Sequence, residues 1–286
     1  MNNFLAQGFA EKLMGILDSS NPHNPIQYAL PLDGQLINLN NLIGQKIILE
    51  HVETIRCVAC HRIISKSFQQ GYCFPCTQKL AQCDLCIVKP ERCHYHLGTC
   101  REPQWGEAHC LQNHMVYLAN TSGLKVGITR EKNIPSRWID QGASQALPIF
   151  KVPNRLISGK IEIILAQYVK DKTDWRKMLK GPGENLNLIE LKNNLLNQAE
   201  LELKTQGFLD FLLGPEKEEE KEKEKEIKIN YPVLNYPEKI TSLNLLKTPR
   251  LESTLLGIKG QYLILEAGVL NSRSLAGLLV SLKQRC

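Results

Sequence analysis

The chain has 286 residues, 43% of them hydrophobic and 22% charged, with a formal charge of +6. These are values of a soluble globular protein with room for two or three domains, and no apolar run reaches the about 18 residues that a membrane-spanning helix requires. Positive charge is concentrated: 12 Lys and Arg against 5 Asp and Glu fall between Met115 and Lys180, and a local field of that sign attracts polyanions, nucleic acid above all.

The start, Met1 to Leu17, has no basic leader and sets Gln7, Glu11 and Lys12 among its apolar residues. It reads as a short amphipathic helix rather than a signal peptide, which makes the expected location cytoplasmic and the thiols reduced. From about Gln35 to Glu53, Leu36, Ile37, Leu39, Ile47, Ile48, Leu49 and Val52, punctuated by Gly34 and Gly44, predict strands. The far end has the same character, with Leu255, Leu256 and Ile258, then Tyr262 to Leu265, then Val269 and Leu270. Gly44 to Glu50 and Gly260 to Glu266 agree at five positions. Neither end carries enough strands to close a core, so residues 1–55 and 227–286 are expected to form one β-rich domain with the remainder inserted.

Nine of the ten cysteines lie between Cys57 and Cys110. The first four are spaced Cys57-x2-Cys60-x12-Cys73-x2-Cys76. Each C-x-x-C turn brings two thiolates onto one ion, and two such turns supply the tetrahedral sulfur shell of a structural zinc. A third turn, Cys83-x2-Cys86, gives the first ligands of a second site, for which Cys93, Cys100, Cys110 and His114 compete. Zinc or an iron–sulfur cluster suits that second group, and an open position near Cys110 or His114 would suit a catalytic metal. His61 and His94 read as neighbours of ligands, and Cys286 stands apart. Residues 56–114 are thus a zinc-binding region of zinc-ribbon-like knuckles.

Beyond it, Met115 to Ala119 and Leu124 to Thr129 flank the turn Asn120-Thr121-Ser122-Gly123 and predict a hairpin. Pro135 opens a helix carrying Arg137, Trp138 and Ile139. Ser158 to Val169 reads as another helix, with Glu162 on it. Leu186 to Leu213 has helical spacing and ends at Gly214-Pro215. Trp138 and Trp175 read as core residues. Seven Glu and five Lys fill 216–228, an exposed charged linker.

Val116-Tyr117-Leu118, followed by Lys125-Val126-Gly127-Ile128-Thr129, then Arg137 and Glu162, resembles the GIY-YIG nuclease superfamily. The resemblance implies a GIY-YIG-like module over 115–215 with trailing helices, and an overall α+β fold. It further implies that Tyr117 acts on water or its proton, that Lys125 stands in the second tripeptide where a tyrosine is usual, that Arg137 contacts the scissile phosphate, and that Glu162 holds Mg²⁺ or Mn²⁺. Phosphodiester cleavage needs those parts: a base, a cation against phosphate charge, and a carboxylate for a hard metal. Lys125, Arg130, Lys132, Arg137, Lys151 and Arg155 are the residues expected to grip phosphates. Over most of its length the chain also resembles an uncharacterised prokaryotic zinc-binding family, through Gln70-Gly71-Tyr72-Cys73-Phe74-Pro75-Cys76, Gly98-Thr99-Cys100-Arg101-Glu102-Pro103, Trp105-Gly106-Glu107, Trp138 to Ala143 and Asp171 to Arg176. The expected function is a zinc-stabilised nucleic-acid-binding protein with a metal-dependent endonuclease site. The alternatives are a non-catalytic RNA, DNA or ribosome binder and a zinc-dependent nucleic-acid-modifying enzyme.

Overall fold

Strand pairing between the two ends of the chain organises the molecule. The computed structural model describes residues 2–18, 20–21, 23–169, 174–214 and 225–285. The N-terminal stretch expected as a helix is instead two strands, β1 (Asn2–Phe9) and β2 (Met14–Ile16). The reason is tertiary: β1 lies antiparallel to the last strand of the chain, with Phe9 opposite Leu279, so a distant partner satisfies its backbone. A bulge interrupts the pairing between Phe4 and Ala6, and beyond it burial alternates with period two, Ala6, Gly8 and Ala10 inward and Gln7 outward. Next come β3 (Gln27–Leu32) and β4 (Gln35–Asn38), joined at Asp33-Gly34 with φ of +46° and +82°, the two positive values a tight hairpin turn requires. The long β5 (Lys46–Arg56) follows, its end paired with β6 (Ile63–Ile64).

Between β6 and His114 regular structure is sparse: α1 (Phe74–Lys79), α2 (Pro103–His109) and short 3-10 turns. Then come β7 (His114–Asn120), β8 (Leu124–Arg130), α3 (Ser136–Asp140), β9 (Gln145–Val152), α4 (Arg155–Ala166), α5 (Trp175–Met178) and α6 (Leu188–Thr205). The chain closes with β10 (Ile227–Lys228), β11 (Ser242–Leu243), β12 (Arg250–Lys259), β13 (Tyr262–Leu265), β14 (Gly268–Asn271) and β15 (Leu278–Arg285). Most of the charged run expected over 216–228 lies outside the described residues.

The fold is mixed α+β. Its largest sheet has the order β1-β15-β5-β12-β13-β14-β11, with β6 beside β5, and so interleaves strands from both ends. A second sheet, β10-β9-β7-β8, has β7 inside it, and all seven β7 residues are buried. The two faces of β7 serve two cores. Tyr117 and Ala119 join Trp138 and the side chains of both chain ends, while Val116 and Leu118 pack with α4 and α6. Among the described residues no helix is long and apolar enough to cross a membrane.

Candidate functional site: a four-thiol centre beside a cationic cavity

Cys57 directly follows β5, and the chain turns back at once: Cys57 N–H donates to Arg62 O (2.9 Å) and His61 N–H, at φ +58°, donates to Cys57 O (3.0 Å). Cys73 precedes α1, whose first turn carries Pro75 and Cys76. These two turns bring the sulfurs of Cys57, Cys60, Cys73 and Cys76 within 4.8 Å of one another. The Cys60 and Cys73 sulfurs are 3.7 Å apart, and four sulfurs about 2.3 Å from a zinc ion stand about 3.8 Å apart at the corners of a tetrahedron. Burial alone would push the Cys57 thiol up, but the backbone N–H groups of Cys60, Cys73 and Ala59 outweigh it and bring it down to about 6; the Cys73 N–H lies 3.2 Å from the sulfur. Desolvation and the three neighbouring sulfurs push Cys76 up to about 12. One sulfur is prepared for ionisation and the crowd opposes a second, a conflict that a divalent cation resolves. The donor set fits a closed structural zinc site.

The remaining expected ligands divide. The Cys83 thiol, raised mainly by burial, feels Cys57 of the first cluster, whereas Cys86, Cys93, Cys100 and Cys110 line a separate small cavity. Among the described residues the second group of close donors is Asp84, Cys86 and His94, whose ligand atoms lie within 4.8 Å of one another. His114 is fully buried on β7, its Nδ1 2.6 Å from Gln112 O and its Nε2 without a partner. Burial brings its pKa down to about 4.

The hairpin of β7 and β8 carries Tyr117 directly opposite Gly127. A Cβ at Gly127 would fall 2.8 Å from the Tyr117 hydroxyl and ring, so glycine is what lets the phenol lie across the neighbouring strand. That phenol is completely buried, packs edge-on to Trp138 at 5.8 Å, and donates to Gln141 Oε1 at 2.9 Å. Burial pushes it up to about 12; the Arg137 guanidinium works against the rise by charge and a hydrogen bond, and the Glu162 carboxylate adds to it. Arg137 from α3 and Glu162 from α4 thus both act on Tyr117 from β7, while the tyrosine itself lies beneath the surface with its proton committed.

Arg137 also lines two adjoining cavities. One, of about 640 Å³, includes Arg56, His61, Tyr72 and Arg273. The other, of about 270 Å³, includes Lys125, Gln141, Arg273, Trp175 and Tyr262. Trp175 and Tyr262 stack nearly parallel with centroids 5.4 Å apart, and the Arg176 guanidinium sits 4.4 Å over the indole. Trp138 is core as expected, but Trp175 is a half-buried cavity wall. Burial and the nearby Arg137 charge push the Arg273 guanidinium down, against the pull of Asp140. Asp140 is otherwise held by Lys12 and by Gln261 Nε2 at 2.9 Å, and Arg56 pairs with Asp33 at 2.6 Å.

Of the cations expected to grip phosphates, Lys125 and Arg137 reach these cavities. Lys132 is exposed elsewhere, and Lys151 pairs with Glu131 at 3.2 Å. Arg130 acts on His114 and Cys110, and Arg155 donates to the carbonyls of Cys86 and Ile87. Arg273, Arg56, His61, Trp175 and Tyr262 were missed by sequence reasoning. Arg273 lies in a polar turn between two strands, which marks a loop but not its neighbour across the fold.

No curated protein and no solved structure matches the chain. A family model described as a protein of unknown function, DUF2797, matches residues 44–280. That span is most of the chain and takes in the four-thiol centre and the cavity residues Arg137, Trp175 and Arg273, so the protein belongs to this family.

Proposed function

We propose that this protein binds nucleic acid in the cationic cavity, with the Cys57, Cys60, Cys73 and Cys76 site holding a structural zinc ion beside it. The observation that carries the reading is the pairing of Arg137 and Arg273, like charges gathered at one partly buried cavity wall with Lys125 and the Trp175–Tyr262 stack beside them. Asp140 lines the same cavities but is shared with Lys12 and Gln261, so one carboxylate faces several cations; a bound phosphate would offset the remaining like-charge repulsion, and the aromatic faces offer a surface for a nucleobase. Anisotropy titration of labelled single-stranded RNA and DNA at several salt concentrations tests this. Removing one phosphate-binding cation, as in Arg137→Gln or Arg273→Gln, lowers the log–log salt slope by about 0.7. Trp175→Ala weakens binding by about 1–3 kcal/mol if bases stack there. Affinity that is absent, or indifferent to salt and to all three substitutions, overturns the reading.

A second reading, cleavage by a GIY-YIG-like site, is favoured by the joint action of Arg137 and Glu162 on Tyr117. Glu162 would supply the carboxylate for Mg²⁺ or Mn²⁺, a hard ion that takes one or two protein carboxylates and completes its shell with water and substrate phosphate. Nicking of plasmid and structured RNA with either ion, in wild type but not in Glu162→Ala, supports it. Equal absence in both, alongside salt-sensitive binding, leaves binding alone. A zinc-dependent modifying reaction gains less support, because four sulfurs close the first shell and leave no position for water.

A further inference from the structure

Residues 66 to 113 enter none of the three hydrophobic clusters, and from Ala81 to Leu97 the chain runs through four short 3-10 turns with Leu85, Val88 and Leu97 exposed. A segment without apolar cross-links needs another tie. One ligand atom each from Asp84, Cys86 and His94, all half-buried, lies within 4.8 Å of the other two. Asp84 caps the turn Leu85–Ile87, its Oδ1 accepting from the Cys86 N–H at 3.4 Å. His94 Nδ1 is 2.8 Å from the Thr99 hydroxyl, which itself donates to His94 O at 3.3 Å. With its own proton so committed, that hydroxyl accepts from Nδ1–H, and the tautomer leaves the ring's lone pair on Nε2. Nε2 stands 3.7 Å from Asp84 Oδ2. That is too long for a hydrogen bond, and close to the about 3.4 Å between two ligands each about 2.1 Å from a tetrahedral zinc ion.

We infer that Asp84, Cys86 and His94 hold a second metal ion, a divalent ion of the zinc type bound through one carboxylate oxygen, one thiolate and the imidazole Nε2. Zinc accepts all three donor types, whereas an iron–sulfur cluster calls for several thiolates and this group offers one. Arg101 Nε donates to Asp84 Oδ2 at 2.6 Å. Ligating carboxylates are commonly held by such an outer hydrogen bond, and the carboxylate keeps further lone pairs for the ion. Three protein donors leave one of four tetrahedral positions open. All three line a cavity of about 10 Å³, room for one water, which completes the shell; nothing of substrate size enters. On binding, the thiol proton leaves as the Zn–S bond forms, while the carboxylate and the neutral imidazole release none.

The ion ties together parts of the chain that no core joins. Arg101 Nη1 donates to Thr77 O at 2.9 Å, which links Asp84 to α1, the helix that carries Cys76 of the four-thiol centre. On the other side Arg155 Nε, at the start of α4, donates to Cys86 O at 3.4 Å. The second ion therefore stands between the first centre and the helix that carries Glu162.

Cobalt(II) loaded in place of zinc into the full-length, reduced chain tests this, because each thiolate on cobalt adds charge-transfer absorbance. Native mass spectrometry counts the ions in the same samples. The wild-type chain is expected to hold two ions and to show the absorbance of four thiolates plus one. Asp84→Ala, Cys86→Ala and His94→Ala are each expected to keep one ion with an unchanged four-thiolate spectrum, which also reports that they fold. Cys93→Ser, Cys100→Ser and Cys110→Ser are expected to keep both ions. A wild-type chain that takes up only the four-thiolate ion overturns the inference with no variant needed, and so does a second ion that survives His94→Ala. A second ion that adds two or more thiolates, or that is lost in Cys93→Ser, Cys100→Ser or Cys110→Ser, overturns the donor set.

Discussion

Lys259 is fully buried at the end of β12, and its Nζ donates to Gly181 O at 2.8 Å. The rings of Tyr231 and Tyr236 lie 5.6 and 5.5 Å away, and burial is the sole cause that brings the amine down from 10.5 to about 8. That drop corresponds to about 3 kcal/mol against holding the charged form inside the protein at neutral pH. Between pH 8 and 10.5 the unfolded chain keeps a proton that the folded chain has released. Stability therefore falls as pH drops through that window and stays at the lower level below it. Lys259→Met keeps the length of the side chain, removes the charge, and leaves Gly181 O unpaired at a cost of about 1 kcal/mol. The variant is expected to gain about 2 kcal/mol at pH 7 and to lose that advantage by pH 10.5. Urea unfolding of both proteins at pH 7 and pH 10.5, with zinc present and m-values compared, measures it. A variant less stable than wild type at pH 7, by as much as at pH 10.5, would show that the carbonyl and ring contacts fully offset desolvation and would refute the reasoning.

Cys57→Ser removes the sulfur on which three N–H groups converge; one zinc equivalent is expected to be lost, and chelator then unfolds the variant at lower concentration than wild type, as followed by circular dichroism. Gly127→Ala drives a methyl to 2.8 Å from the Tyr117 ring and hydroxyl, an overpacking expected to cost about 2 kcal/mol in denaturant midpoint analysis. Gly159→Ala meets backbone at Glu91 and Pro90, which cannot step aside as a side chain can; an equal or larger loss of stability is expected in the same assay. Tyr117→Phe deletes a hydroxyl donated to Gln141, and a stability loss of about 1 kcal/mol is expected. Nucleic-acid affinity unchanged within twofold would mark that hydroxyl as internal; a large loss of affinity would contradict its buried position.

The zinc knuckles were legible because their chemistry is local. A C-x-x-C turn carries both donors within four residues, so Cys57, Cys60, Cys73 and Cys76 could be grouped from spacing. At Cys83-x-x-Cys86 spacing does not name the partners, because Asp84 and His94, which bring donor atoms within 4.8 Å of Cys86, belong to no C-x-x-C turn. The stretch read as an N-terminal helix failed for the opposite reason. Its apolar residues fit either period, and the choice was made by β15, a strand from the other end of the chain.

Spacing and charge placement determined a four-thiol centre, a positive middle and a hairpin with strands at Met115–Ala119 and Leu124–Thr129, which fold as His114–Asn120 and Leu124–Arg130. Tertiary structure alone decided that Arg273 stands beside Arg137, and that Tyr262, from the same end of the chain, stacks on Trp175. Thiol turns are short-range objects whose geometry the intervening residues enforce. A cavity wall is assembled from side chains far apart in the chain, Arg137 with Arg273 and Trp175 with Tyr262, and their meeting depends on sheet pairing and packing that no local pattern encodes.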